Sequence, residues 1–498
     1  MDYVNGQGRD QMFATSLNQM VGPEAFVRII DVFVDSLDLD EFGFTNTNLN
    51  SQGRPPYDPA DLMKLYLYGY QYGIRSCRKL EHSTIVNIEV MWLLRGRRPH
   101  YKTIANFRKE NATAFRSVFR YFVSVLKDWK LIGGKQVAID SFKIRAQNSL
   151  KNNYNEAKIE RHLEYIDGKI NEYLSEMERA DKGDERAELQ SKVDHQQEKR
   201  QKYMDIGQQI VDSGESQIST VDPDARAVIW HRNIVNVGYN IQAVSDEKYK
   251  LLVAVDTGSV NDTHSLSDMA KLAMENMGVT RIKALADKGY LTGVQINDCE
   301  KLGVTTYVSP KSSTTQEQLK VFPSSEFKYH AGSDTYRCPA NEIMRSNGKY
   351  YERSSKKKGE APVRFKQYKT KACKNCPLRE SCTTSRNGRI IQRNEYQSCV
   401  DRNNRRVEAN PDYYRQRQQI IEHQFGTIKR QWGFTYTMVR GKPKVLGEVS
   451  ILFTTYNLRR SVSILGFKVV FERLKALILC IFDLFATGHR VKYQITNY

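Results

Sequence analysis

The sequence predicts a multidomain chain of mixed α+β and α/β class, and three observations lead there. The amino-terminal part carries apolar residues at helical spacing, as at Leu62, Leu65, Tyr66, Tyr68 and Gly69. Two short apolar runs, GKQVAID at 134–140 and RIKALAD at 281–287, each stop on a carboxylate, as strands do when they end at the ligand-binding rim of an open sheet. Two stretches of other character interrupt this core. One is charged, free of proline and runs from Asn155 to Asp212; the other lies at 309–392 and carries cysteines.

Residues 1–130 read as a helical domain. Asp58-Pro59 is a start signal for a helix reaching Tyr72. The run Gly73-Ile74-Arg75-Ser76 then turns the chain into a second helix with Arg78 and Lys79, and Thr103 is the expected cap of a third that passes Phe107 and Arg108 towards Tyr121. Short helices joined this way suit a helix-turn-helix, with a plain basic bundle as the blander alternative. The connection Arg95, Arg97, Arg98, His100, Lys102 supplies cations for phosphates, Arg97 and Arg98 foremost.

Residues 131–308 alternate strands and helices. The strand ending at Asp140 is followed by a hairpin, Val237–Val244 and Leu251–Val255, closed by Ser245 to Lys248. A helix at Leu266–Met277, the strand ending at Asp287, a helix from Gly293 and a strand at Thr305–Val308 complete this part. The insertion at 150–212 keeps an apolar stripe (Leu163, Ile166, Ile170, Tyr173, Leu174, Met177), breaks at 181–184 and resumes with Leu189, Val193 and Met204. It reads as a helical hairpin, a structural or dimerising arm.

In the 309–392 insertion Cys338, Cys373, Cys376 and Cys382 stand as candidate ligands of a structural Zn²⁺, because a C-x2-C turn brings two thiolates to one ion. Unmetallated thiols are the alternative, and Cys399 is a stand-in ligand. Cys77, Cys299 and Cys480 sit in apolar contexts and read as packing residues. Residues 393–465 close the core, with a basic loop from Arg440 to Lys444 and a last helix bearing Tyr456, Arg459 and Arg460. A tail follows at 466–498.

The segment Tyr413 to Trp432, YYRQRQQIIEHQFGTIKRQW, reads as one helix within that last part. Ile420, Ile421, Phe425 and Ile428 line a side for a core. Glu422 is a lone carboxylate among cations; Lys429 and Arg415 each lie seven residues away, about two turns, and so are expected on its face. A solvated charged helix is the bland reading. Two strand-end acids and one helical glutamate form a hard oxygen set suited to Mg²⁺ or Mn²⁺ acting on phosphodiesters. Asp222, Asp224, Asp256 and Asp262 are rival acids. Asp256 also ends a strand, but Thr257-Gly258 after it reads as a turn, which favours a structural role.

With these residues in hand the chain resembles the DDE transposases of bacterial insertion sequences, the branch with an InsH-like amino-terminal domain. The resemblance rests on ADKGY at 286–290, EHQFGTIKRQWGF at 422–434, RGKPKV at 440–445 and TYNLRR at 455–460, together with GRPPYDPADLMKLYLYGYQYG at 53–73 and ANFRKEN at 105–111. It implies a ribonuclease H-like catalytic core, which the strand and helix order at 131–308 also matches. It further implies catalytic, metal-holding Asp140, Asp287 and Glu422, with Lys429 steadying a phosphate. The family's signature is Tyr, two residues, Arg, three residues, Glu, six residues, Lys. Tyr414, Glu422 and Lys429 fit it, but Arg417 leaves four residues before Glu422 and the expected position holds Gln418. The arginine's role stays open between Arg417 and Arg415. The implied reaction is cleavage of double-stranded DNA at the element's terminal repeats and transfer into target DNA, by a homodimer in the DNA complex. A metal-dependent nuclease without strand transfer and an inactive DNA-binding remnant are the alternatives.

Composition agrees. The chain has 76 Lys plus Arg against 57 Asp plus Glu, a formal net charge of +19, and calls for a polyanionic partner. A basic ribosome- or membrane-surface binder is the rival class. The start, MDYVNGQGRD, lacks the basic and apolar regions of a signal peptide, so a cytoplasmic, nucleoid-associated location is expected.

Overall fold

The structure is a computed structural model that describes residues 10–12, 14–48, 55–180, 183–231, 234–258, 260–310, 321–354 and 362–487. The amino-terminal part is helical. Helix α1 (Phe26–Asp35) buries Phe26, Val27, Ile29, Ile30, Phe33 and Val34, one face of a 3.6-residue repeat. Helix α2 (Pro59–Gln71) starts as expected, with proline at its first position and the Asp58 carboxylate accepting from the Ala60 N–H at 2.8 Å. Eleven of its thirteen residues are buried, so it is the central rod of the bundle. Lys64 survives there because Asp31 and Asp35 each take its ammonium at 2.6 Å.

Helices α3 (Cys77–Val86), α4 (Ile88–Leu93), α5 (Tyr101–Glu110) and α6 (Ala112–Asp128) follow. The cap of α5 is His100 rather than Thr103, which lies inside the first turn. Asn111 alone separates α5 from α6, its amide donating to Phe107 O at 2.8 Å.

Strand β1 spans Gln136–Arg145, longer than the sequence suggested: Asp140 sits within it, not at its end. After β1 come α7 (Glu156–Arg179) and α8 (Gly183–Ser213), which pack on each other through Ile159, Ile206 and Ile210 at their root. The sheet resumes with β2 (Arg226–His231), β3 (Ile234–Asp246) and β4 (Leu252–Thr257), then α9 (Leu266–Met277), β5 (Ile282–Ala286), α10 (Gly293–Lys301) and β6 (Val304–Val308). The strand order is β2-β3-β1-β5-β6, with β4 pairing the later half of β3 beside β2. Strand β3 is antiparallel to β1, whereas β5 and β6 run parallel to it, each parallel step crossing over through a helix.

The cysteine-bearing stretch is not core-poor, as its polar sequence implied. It folds as a second six-stranded antiparallel sheet: β7 (Lys328–His330), β8 (Thr335–Arg337), β9 (Ile343–Ser346), β10 (Tyr351–Arg353), β11 (Val363–Lys369) and β12 (Ile391–Asn394). Its own small core is Phe327, Tyr336, Met344, Tyr368 and Ile391. Aromatic residues spaced along short strands made it invisible to a search for long apolar runs.

The chain closes with α11 (Gln397–Ala409), α12 (Pro411–Gly426), a π-helical turn (Thr427–Gln431), α13 (Lys442–Leu465) and α14 (Phe467–Thr487). The last part of the expected tail, 488–498, lies outside the described residues. Helix α13 is buried along nearly all its length between the sheet and the amino-terminal bundle. Gly447 lets it touch α6: a Cβ there would come within 2.6 Å of the Ala112 Cα. One step on, fully buried Glu448 accepts from Tyr70 and Arg75, both at 3.2 Å, and from the Met438 N–H at 2.9 Å, with Arg108 at 3.6 Å. Bundle and sheet therefore share one hydrophobic core that runs from Val21 to Leu474. Among the described residues no helix is long and apolar enough to cross a membrane.

Candidate active site

Backbone register builds the centre of the site. In the parallel pair β1/β5, Ile139 lies opposite Ala286, so the next residues, Asp140 and Asp287, come level where β5 stops and β1 continues. Neighbouring strands are about 4.8 Å apart and level residues face the same side, so the two carboxylates stand next to each other. Asp287 then turns the chain: its carboxylate accepts from the Gly289 N–H in a short 3₁₀ turn, Lys288–Tyr290. Gly289 leaves room for this carboxylate, because a Cβ there would stand 2.8 Å from Asp287 Oδ1 and 3.5 Å from Asp262 Oδ2. Asp262, one of the rival acids, is thereby brought into the same cluster. Its Oδ1 accepts from Asn240 at 2.8 Å and from Gln242 at 2.6 Å.

Burial raises the Asp140 pKa to about 6; Arg417 and the Ser141 N–H oppose this, and the charges of Asp287 and Asp262 add to it. Arg417 Nη1 donates to Asp140 Oδ2 at 2.8 Å and Ser141 N to Oδ1 at 2.8 Å. Geometry thus puts Arg417 at the acids. Arg415 instead pairs at 3.0 Å with Asp412 on the surface, where its side chain is 77 % exposed. Tyr414 packs near Leu285 and Tyr307, within electrostatic reach of Arg417.

The regular two-turn spacing expected around Glu422 does not hold. Helix α12 ends at Gly426 and the π turn, which rotates less per residue than an α-helix, brings Lys429 inward until its Nζ is 5.1 Å from the centre of the Phe142 ring. Burial lowers the Lys429 pKa, while the nearby Asp140 charge works the other way. Glu422 goes outward. It lies five residues after Arg417, roughly 140° round the helix. Ile420, Ile421 and Gln424 take the face against the sheet, so Glu422 is exposed. Among the described residues no three His, Cys, Asp or Glu side chains are gathered as a metal centre, neither these acids nor the cysteines.

Cys338, Cys373, Cys376 and Cys382 do converge electrostatically at the second sheet. Burial raises the Cys382 thiol pKa; Arg389 opposes, and the other three cysteines add to the rise. Cys399, the stand-in, is buried elsewhere beside Arg402. One of the two arginines expected at phosphate is already engaged. Arg97 is not a free phosphate cation, for it forms an ion pair with Asp61, whose side chain is 2 % exposed. Arg98 has an exposed side chain and remains available.

Sequence reading passed over Asn240, Gln242 and Tyr290. The signal was there: two amides inside the apolar run Val237–Val244, and a tyrosine three residues after an acid.

Two family models match the chain. Residues 15–110 match the family described as Transposase domain (DUF772), and residues 337–462 match the Transposase DDE domain, which includes Glu422 and most of α13. This is a DDE-type insertion-sequence transposase. No curated protein matches it significantly. Among solved structures, a piggyBac transposase synaptic complex with hairpin DNA is similar at 11 % identity over 94 % of this chain and 83 % of that one, with a TM-score of 0.33. A superposition that loose fixes no detail of the transposase site. The DDE family works with divalent metal.

Proposed function

We propose that the transposase cuts DNA at the ends of its own element and joins the freed 3′ ends to target DNA, using Asp140, Asp287 and Glu422 as ligands for Mg²⁺ or Mn²⁺. The observation that carries this is the level placement of Asp140 and Asp287 at the end of β5, with Arg417 on one of them. The strand order, three antiparallel strands and then two parallel ones reached through helices, supports a ribonuclease H-like core.

The donor set fits a divalent cation. Carboxylate oxygens are hard ligands, and a buried carboxyl pushed up to about 6 beside two other acids is short of positive charge. When bound, the metal supplies charge stabilisation of the in-line displacement at phosphorus. The chain's own groups do the remainder. Asp140 and Asp287 hold the metal side, Arg417 keeps Asp140 oriented, and Lys429 offers a cation to a phosphate over the Phe142 ring. Glu422, on the open side of α12, is the ligand to be completed when DNA arrives. Double-stranded DNA is the partner, with Arg98 among the phosphate contacts and a homodimer as the working unit. Cys338, Cys373, Cys376 and Cys382, near enough at the second sheet for their charges to reach Cys382, would hold a structural Zn²⁺ once drawn together around it.

The test is Mg²⁺-dependent cleavage and strand transfer on DNA carrying the element's ends. Wild type is active and Asp140→Ala inactive with DNA binding retained; an active Asp140→Ala would overturn the assignment. One tightly held zinc per chain, lost with Cys376→Ser, checks the second sheet. Metal-free protein of normal stability would count against zinc.

A further inference from the structure

Behind the two strand acids, on the other side of β1, runs a buried polar chain that ordinary packing does not require. Tyr290 is fully buried. Its hydroxyl donates to Gln242 Oε1 on β3, and Gln242 lies level with Ser141 of β1 in the antiparallel ladder. Since Gln242 Oε1 is taken as an acceptor, its amide N–H₂ must face the other way, and it donates to Asp262 Oδ1 at 2.6 Å, beside the Asn240 amide at 2.8 Å. Ser141 follows Asp140, and Tyr290 closes the turn that begins at Asp287. One hydroxyl therefore ties the turn of the second acid to β3, and through the β3/β1 ladder to the strand of the first. Asp262, reaching back over Gly289, steadies the same turn from outside.

Each partner is matched by polarity: hydroxyl to carbonyl, amide to carboxylate. A buried network so satisfied is rigid, and losing one member leaves another unpaired. We propose that Tyr290 is a positioning residue which, through Gln242 and the β3/β1 ladder, sets the spacing of the Asp140 and Asp287 carboxylates, with Asp262 as the far anchor of the chain. This rests on the reading that those two acids hold the metal together. It assigns a task to the last residue of ADKGY that packing alone would not, since phenylalanine would fill the same space.

The experiment uses the full-length protein without DNA, titrated with Mn²⁺ and followed by loss of the free-ion EPR signal. Thermal unfolding and cleavage of element-end DNA are measured alongside. Tyr290→Phe is expected to weaken Mn²⁺ binding about threefold, less than the ~10-fold or more of removing a hydrogen-bond partner of the ligand itself, because Tyr290 acts one bond further out. Cleavage should recover towards the wild-type rate at high metal. Asp262→Asn, which keeps the tyrosine, should move binding in the same direction and provides the reading if Tyr290→Phe folds poorly. Wild-type Mn²⁺ affinity in both variants, even with a lower melting temperature, means a merely structural network and overturns the proposal. Asp287→Asn separates the two levels: if it too binds Mn²⁺ normally, the shared-metal reading itself is what fails.

Discussion

The sheet side and the helix side of the site are held to different degrees. Asp140 and Asp287 are placed by hydrogen-bonded register between β1 and β5 and by a turn in which a side chain at Gly289 would push on the Asp287 carboxylate. Glu422 is placed only by the rotation of α12, and that rotation gives the sheet-facing positions to Arg417, Ile421 and Gln424. A ladder can slip only in whole residues, whereas a helix can roll a few degrees at small cost. The same contrast separates the arginines. Arg417 and Arg97 are tied to buried or half-buried acids, while Arg415 and Arg98 face solvent. The difference teaches that this transposase carries a pre-set pair of acids and an outward third.

The strongest way to break that contrast compares metal binding with cleavage. Asp140→Asn, Asp287→Asn and Glu422→Gln should each lower end cleavage by on the order of 10³-fold, since charge placement is most of the catalysis. Mn²⁺ binding without DNA should vanish in the two Asp variants and persist in Glu422→Gln. Equal loss in all three would show the third acid already in place. A smaller effect, about 10²-fold, is expected for Gly289→Ala, whose methyl displaces the Asp287 carboxylate by an ångström or so. Unchanged cleavage there would mean the turn yields freely.

Acidity sharpens the comparison next. Asp140 sits above its ordinary value, at about 6, so its charged form and the metal bound to it are lost as pH falls through about 6. The native state holds that proton more tightly than the unfolded chain. The metal-free fold therefore gains stability from this group as pH drops from about 6 towards 4, and loses it again on the way up. Arg417→Gln should raise the midpoint of Mn²⁺ binding by roughly one pH unit, and Arg415→Gln should leave it unchanged. Identical profiles would dissolve the distinction between the two arginines.

The smallest effects lie in the helical bundle. Arg97→Ala strands the buried Asp61 carboxylate and should cost about 1 kcal/mol in urea unfolding, allowing for screening at its half-exposed guanidinium. Arg98→Ala should leave stability alone and flatten the salt dependence of DNA binding by about one unit. The reverse pattern would mean that Arg97 is the phosphate contact after all.

Much of this was legible in the chain. Val137, Ile139, Leu285 and Ala286 announce strands, and the acid after each run announces the rim. Asp58-Pro59 marks the start of α2, and Leu266–Met277 its helix, because caps and periodicity are local. Misreadings came where non-local partners decide. Asp140 lies inside β1 because β3 pairs with it as far as Arg145, although β5 stops short. Lys429 turns inward because the π turn breaks the 3.6-residue count, and Arg97 is held because Asp61 is buried beneath it.

By itself the sequence marked the helices of the amino-terminal part, the strands and helices of the first sheet, candidate acids at 140, 287 and 422, and the demand for a polyanion. These follow from short-range periodicity, capping and net charge, which each segment carries alone. Only the tertiary structure decided which arginine meets Asp140, that Asp262 joins the cluster, and that Tyr290 and Gln242 brace it from behind. Those outcomes depend on strand register and helix rotation, which are settled only when segments far apart in the chain pack together.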